Sequence, residues 1–276
     1  MTSQRRRLDV ELVRRGLVAS RERAREEIAA GRVTVGGAPA LTPARLVQAG
    51  EAVMVADGGG RYVSRGGEKL AAALAAFAVD PSGRDALDAG ASTGGFTDCL
   101  LQGGAAHVTA VDVGRGQLHE RLRADPRVTA VERTNVRDLT LASLRRPGVP
   151  FDLVVADLSF ISLRLVARAL VGVSGPGADL VVLVKPQFEA GRREADRGRG
   201  VISDPEVWRR VLEEVDAAFA RAGAAMMGLM ASPLLGTKGN VEFLAHLVPG
   251  APESPPVALD AVLEAAVALR RAGKGS

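Results

Sequence analysis

The stretch Asp85 to Leu101, "DALDAGASTGGFTDCLL", decides the fold. It opens as a short apolar strand, breaks at Gly90, turns through Gly94 and Gly95, and continues as the helix "GFTDCLLQGG". A strand that passes through a glycine-rich turn onto a helix N-terminus is the first unit of an open α/β sheet. Ligands of such sheets sit at the carboxyl ends of the strands. The spacing is not G-x-G-x-x-G, and Asp88 stands just before the glycines. A carboxylate there repels the pyrophosphate of a dinucleotide and welcomes a cationic ligand.

Working outward, strand and helix alternate. "HVTAVDVG" reads as a strand, "GQLHERLRA" as a helix, "RVTAVERT", "FDLVVADLSF" and "DLVVLVKP" as further strands, with a helix near Ser162 to Val171 before the last. "PEVWRRVLEEVDAAFARAG" is an amphipathic helix, and "AMMGLMAS" and "VEFLAHLV" close the series as strands. A Pro-rich turn and an Ala-rich helix follow, and no internal repeat is present. The expected fold is therefore a mainly parallel, doubly wound, Rossmann-like sheet covered on both faces. Asp112 ends the second strand, where an acid either hydrogen-bonds a ribose or caps the next helix. Asp138 follows the third strand, within reach of an adenine. An acid before the glycines and another at the next strand end suggest S-adenosylmethionine, whose sulfonium and amino group are positive.

One strand poses a separate question. "DLVVLVKPQF" (Asp179 to Phe188) runs apolar until Lys185 and stops at a proline. Burying an ammonium is costly unless it is paired or used. The chain has 36 Lys plus Arg, yet only Lys69, Lys185, Lys238 and Lys274 are lysines. A lysine retained among arginines is a candidate for losing its proton. Asp157 ends the neighbouring strand, "VEFL" places Glu242 on a later strand, and "RGGEKL" places Lys69 before the first. Two acids and two lysines around one crevice suit methyl transfer to a hydroxyl, with Lys185 acting as base or only orienting the hydroxyl. A structural ion pair between Asp157 and Lys185 is the plainer alternative.

The first sixty residues form a different unit. "RRRLDVELVRRG" and "SRERAREEIAAG" are two helices stopped by Gly16 and Gly31, the second with Ser20 as N-cap, and "RVTVGG" and "EAVMVAD" are short strands. Residues 1–60 are expected as a small α+β domain ending in the Gly-rich linker "ADGGG", and 61–276 as the sheet domain. Arg21, Arg25 and Arg32 share one helical face or are simply solvated, with Arg5, Arg6 and Arg7 as a flexible arm. A net charge of +4 and a pI near 9.8 point to an acidic partner, and 3% aromatics favour phosphate and shape contacts over base stacking. No apolar run approaches a bilayer span, no secretory signal opens the chain, and Cys99 has no partner cysteine. His107, His119 and His246 have no ligand spacing, so no metal is expected. A cytoplasmic monomer is the expectation.

Six ordered motifs, "RLDVELVRRGL-x-x-SR", "SRGGEKL", "LDAGASTGGFTDCLL", "VVADLSFISL", "LVKPQFEAG" and "SPLLGTKGNVEFL", closely resemble the TlyA family between about Arg6 and Leu247. These are ribosomal RNA cytidine 2′-O-methyltransferases, also called hemolysins, with an S4-type RNA-binding domain before an FtsJ-like methyltransferase domain. The resemblance implies S-adenosylmethionine as cofactor, ribosomal RNA or ribosomal subunits as partner, and Lys69, Asp157, Lys185 and Glu242 as the catalytic set. With the pattern above, it places Asp88, Gly90, Ser92, Thr93, Gly94, Gly95, Phe96, Asp112, Val113, Asp138 and Asp157 around the cofactor. Arg5, Arg6, Arg7, Arg21, Arg25 and Arg65 are the expected RNA contacts. Leu235 and Thr237 vary within their motif, and the Arg-rich loop "GRREADRGRG" is particular to this chain. A ribosome-assembly factor with an inactive domain and a membrane-active hemolysin are the competing readings.

Overall fold

The computed structural model describes residues 5–18, 20–29, 31–48, 50–55, 61–191, 194, 198–251 and 257–273. The expected linker (Ala56 to Gly60), residues 192–193 and 195–197 of the Arg-rich loop, most of the Pro-rich turn and Lys274 lie outside them. The chain divides into two compact units, one ending at Arg61 and one beginning at Tyr62.

In the small unit, Leu8 and Leu12 on α1 (Leu8–Arg14) meet Ala24 and Ile28 on α2 (Arg21–Ala29). The i, i+4 spacing puts each pair on one face. Gly16 (φ +68°) follows α1, and the Ser20 hydroxyl accepts from Arg23 N at 3.1 Å, as its N-cap reading required. β1 (Arg6–Arg7), β2 (Val33–Val35), β3 (Ala38–Pro39), β4 (Leu46–Val47) and β5 (Val53–Val55) make two small sheets, β1-β4 and β3-β2-β5. The flexible-arm expectation fails here: Arg6 and Arg7 pair antiparallel with Val47 and Leu46. The reason lies in the next residue, because Leu8 is fully buried and pins its predecessors against β4.

The large unit starts with α3 (Gly66–Ala76). Its strands are β6 (Asp85–Ala89), β7 (His107–Val111), β8 (Val128–Val131), β9 (Phe151–Ala156), β10 (Ser174–Val184), β11 (Ala224–Ala231) and β12 (Phe243–Pro249). They form one sheet in the order β11-β12-β10-β9-β6-β7-β8. β12 alone runs antiparallel, inserted between β10 and β11. The unbroken apolar run of β10 is explained by burial on both faces. Leu180, Val182 and Val184 face the layer of α6 (Ala167–Val173) and α8 (Pro205–Ala222), whereas Val181 and Leu183 face α3 and α4 (Gly95–Gln102). The C-terminal helix α9 (Leu259–Ala272) packs Leu263 and Ala266 into the first layer.

Two helices are shorter than their sequence pattern. "GQLHERLRA" yields only α5 (Glu120–Arg123), because Gly116 takes φ +67° and the His119 ring accepts from Arg121 N as a cap. The helix expected near Ser162 begins as a 3-10 turn, Leu163–Leu165, and becomes α6 two residues later.

Candidate active site

Three parallel strands, β6, β7 and β9, end side by side, and the crevice they open is built around Gly90. At φ +87°, a Cβ on Gly90 would lie 2.5 Å from the Asp157 carbonyl oxygen, so only glycine lets the turn close on β9. Gly94 and Gly95 then start α4. Ser92 and Val113 are exposed at the mouth, Thr93 is half-buried, and its carbonyl accepts from His119 N. Ser92, Asp112, Gly114 and Gln117 line a narrow pocket beside this turn.

The acids differ in what holds them. Asp112 accepts from Ser92 N (2.9 Å) and Gly114 N (2.6 Å), so it organises the turn between the first two strands instead of capping a helix. Asp88 lies completely buried beneath the glycine turn, not open to the crevice as expected. One of its oxygens accepts from the N–H and hydroxyl of Thr97, at 2.8 and 2.6 Å, and the other has no hydrogen-bond partner. Burial, helped by the nearby charge of Asp157, pushes Asp88 up to about 7. Phe96 is buried between α3 and α4, with its ring against Gly66, which leaves its backbone as the part near the turn. Asp138 is exposed in a 3-10 turn after β8.

The four residues set apart by their charge come together as two ion pairs. Lys185 lies immediately beyond β10 and caps the short helix α7 (Pro186–Glu189), and Asp157 lies immediately beyond β9. Their side chains meet at 2.5 Å, and the Lys185 ammonium also donates to the Ser159 hydroxyl at 2.9 Å. Lys69 on α3 meets Glu242 at 2.5 Å, and both are buried. Glu242 sits one residue before β12 rather than within it, although its carbonyl already accepts from Ser232 N. A Cβ on Gly236 would come within 2.0 Å of a Glu242 oxygen, so the turn over this acid requires glycine. Burial raises the Asp157 carboxyl, but the Lys185 and Lys69 charges and the Lys185 hydrogen bond outweigh it and hold the group below its ordinary range. Asp157 is therefore ionised at neutral pH.

Sequence reasoning missed the rim around Lys185. Phe160 is 81% exposed with φ +64° and stands 5.1 Å from the Phe188 ring. An exposed aromatic in the left-handed region is strained, and strain of this kind gathers at functional sites. The scarcity of aromatics in this chain, and the position of Phe160 three residues past Asp157, were the available signals.

The arginines expected at RNA lie in two places. In the small unit, Arg7, Arg21 and Arg25 converge on the buried Asp9, at 3.0, 3.0 and 3.6 Å. Although burial raises Asp9, the arginines lower it to about 2. Three guanidiniums around one carboxylate leave surplus positive charge facing solvent, with exposed Arg5 and Arg6 alongside in sequence. Arg32 instead pairs with Glu27. In the large unit, Arg65 is exposed and donates to the Leu235 carbonyl at 2.9 Å. Among the described residues no cluster of His, Cys, Asp or Glu is placed to hold a metal, and no helix is long and apolar enough to cross a membrane.

Residues 62–248 match the FtsJ-like methyltransferase family and residues 6–53 match the S4 domain. The 16S/23S rRNA (cytidine-2'-O)-methyltransferase TlyA of Mycobacterium tuberculosis is 51% identical over 246 residues, spanning 89% of this chain and 90% of that protein. The chain belongs to the TlyA family. Hemolysin A of Brachyspira hyodysenteriae is 37% identical over 88% of this chain and 99% of its own. A solved structure from Streptococcus thermophilus, also bearing a hemolysin name, is 37% identical with a TM-score of 0.79 over the full length of both chains. In this TlyA-family chain, the large unit is the methyltransferase domain and the small unit carries the S4 domain.

Proposed function

We propose that the protein transfers a methyl group from S-adenosylmethionine to the ribose 2′-hydroxyl of a cytidine in ribosomal RNA, with the small subunit as the first candidate substrate and the large subunit as the second. The observation that carries this reading is the Lys185–Asp157 pair at 2.5 Å, set at the carboxyl end of the sheet beside the glycine turn, with the buried Lys69–Glu242 pair as a second ion pair whose lysine charge acts on Asp157. The residues present fit the cofactor: Asp112 and Asp157 supply negative charge beside a turn that closes on β9 only with glycine at position 90, with Asp88 buried beneath it and Asp138 exposed after the third strand. The bound cofactor supplies an electrophilic methyl group on a cationic sulfur. Ser92, Thr93, Gly94, Gly95, the Phe96 backbone and Val113 complete its surroundings.

Lys185 holds the hydroxyl oxygen in line and, as the neutral amine, takes its proton at Nζ, with Asp157 orienting the nitrogen through their contact. Lys69 and Glu242 keep this arrangement charged but balanced. Phe160 and Phe188 offer an apolar rim to a nucleotide taken out of its stack. Arg5, Arg6, Arg7, Arg21 and Arg25 on the small unit, and Arg65 on the large one, take phosphates. The protein works as a cytoplasmic monomer on ribosomal subunits.

The test is labelled methyl transfer from S-adenosylmethionine to ribosomal subunits lacking the mark, comparing wild type with Lys185→Ala. Label on 2′-O-methylcytidine from wild type alone is the expected result. Label from both variants reduces Lys185 to a structural residue. Binding of subunits and cofactor without label favours the assembly-factor reading, and liposome leakage by the pure protein would favour the hemolysin one.

A further inference from the structure

Asp157 and Lys185 lie beyond the last register pair of β9 and β10, Ala156 with Val182. Past that point no ladder bond holds the two segments together. One segment runs through Ser159 and the strained Phe160 to Ser162. The other enters α7, four residues long, whose first residue is a proline and whose start has no side-chain cap. A helix this short does not hold its own place. In-line transfer tolerates misplacement of only about 0.5 Å, and a shift of about 1 Å costs on the order of 10²-fold in rate.

Besides the contacts of Lys185 and the Phe160–Phe188 pair, one buried carboxylate joins the two segments. Glu189, the last residue of α7, is 3% exposed and appears in no step of the chemistry. One of its oxygens accepts from the Ser162 hydroxyl at 2.5 Å, and the other from Leu163 N at 2.7 Å. Its own carbonyl accepts from the Arg164 guanidinium at 2.8 Å, and that guanidinium continues to Glu214 on α8. Both carboxylate oxygens are thus spent on the segment that follows Asp157, while the backbone of Glu189 belongs to the helix that Lys185 caps. Burying a carboxylate here is costly, and burial raises Glu189 above its ordinary range despite these donors. A glutamine would fill the space without that charge, but its amide cannot accept at both positions.

We propose that Glu189 is a positioning residue for methyl transfer, clamping the Asp157–Ser162 segment to α7 so that Asp157, Ser159 and Lys185 keep their contacts. The inference rests on the methyl-transfer reading, and its test separates the two. Wild type, Glu189→Gln, Ser162→Ala and the double variant are compared by single-turnover methyl transfer, by cofactor titration and by amide exchange across residues 157–165. The glutamine keeps one acceptor and the volume of the side chain, so the fold is expected to be retained. The expected result is a 10- to 100-fold slower transfer for Glu189→Gln, about 3- to 10-fold for Ser162→Ala, and a double variant no slower than Glu189→Gln. Cofactor affinity changes less than about 3-fold, and exchange across 157–165 speeds up. A wild-type rate for Glu189→Gln, additive losses, or a parallel loss of cofactor affinity overturns the proposal. If wild type itself transfers no methyl group, the functional reading fails, and the exchange data still decide the clamp: unchanged protection in Glu189→Gln refutes it. If Glu189→Gln does not fold, Ser162→Ala is decisive, and a wild-type rate for it refutes the clamp.

Discussion

The two ends of the sheet use the same residue types to opposite effect. At the amino end, Asp85 meets Arg146 at 2.5 Å and His107 at 3.4 Å, and His107 reaches the Thr129 hydroxyl at 2.9 Å. Nearby, Asp179 takes both Arg84 and His246, the latter at 2.6 Å, and the His246 ring stacks on Phe77 at 5.5 Å. Asp85 and Asp179 there each take two cationic or imidazole partners. At the carboxyl end, Asp88 has one oxygen without a partner, Lys185 stands at a rim beside an exposed phenylalanine, and Asp112 spends itself on backbone N–H groups. Saturated networks hold strands together, whereas incomplete ones leave capacity for a substrate. The contrast teaches where to look for chemistry when the residue types alone do not distinguish the ends.

The largest effect that can break this comparison is on rate. Lys185→Ala is expected to lower methyl transfer by about 10²–10⁴-fold with little change in melting temperature, read by labelled transfer and by calorimetry. A large drop in stability would place Lys185 with the amino-end networks. Glu242→Leu should cost both, because it leaves the Lys69 ammonium buried alone: about 3–5 kcal/mol in denaturant unfolding, together with most of the activity. Asp179→Ala should show the converse pattern. Stability falls by about 1–3 kcal/mol while the rate per folded molecule stays at the wild-type value. A changed rate there would show that the two ends are coupled.

Acid sharpens the comparison further, in the small unit. Asp9 has its carboxyl lowered in the folded state to about 2, against 3.8 as an ordinary group. A depressed pKa contributes stability above the unfolded value that disappears as pH falls through the folded one. Stability of the S4 unit should therefore decline as pH drops from about 4 to 2, and Asp9→Asn should reduce that dependence in a pH series of melts without abolishing it, because Arg14 and Arg15 hold Glu11 at about 2 as well. The smallest effect is Arg25→Ala, expected to weaken RNA binding a few-fold and to reduce the salt slope by about one.

Much of this was legible in the sequence, for physical reasons. Strand periodicity and the glycine turn are local, so β6, α4, β9 and β10 read directly. The reversal of β12 was not legible, because an apolar strand buried on both faces carries no mark of its direction. Lys185 stood out because an ammonium ending an apolar run demands an explanation, and Asp157, Lys69 and Glu242 were grouped with it by their places on the chain and by the family resemblance. Glu189 was not, because it ends a motif as one more acid, and its burial depends on Ser162 and Leu163, 27 and 26 residues earlier. The buried position of Asp88 was misjudged for the same reason: its partner, Thr97, lies across the glycine turn. Arg6 and Arg7 looked like an arm because two residues cannot show a strand period.

The reversed direction of β12 has a consequence for synthesis. Because that strand enters the sheet from the rim where its neighbours leave, the acid at its start answers a lysine made 173 residues earlier. A growing chain can lay down β6 through β10, glycine turn included, while Lys69 still lacks its carboxylate. The site is thus assembled late, by a hairpin that closes only once Glu242 has been translated, and no nascent fragment ending before it carries the complete charge set.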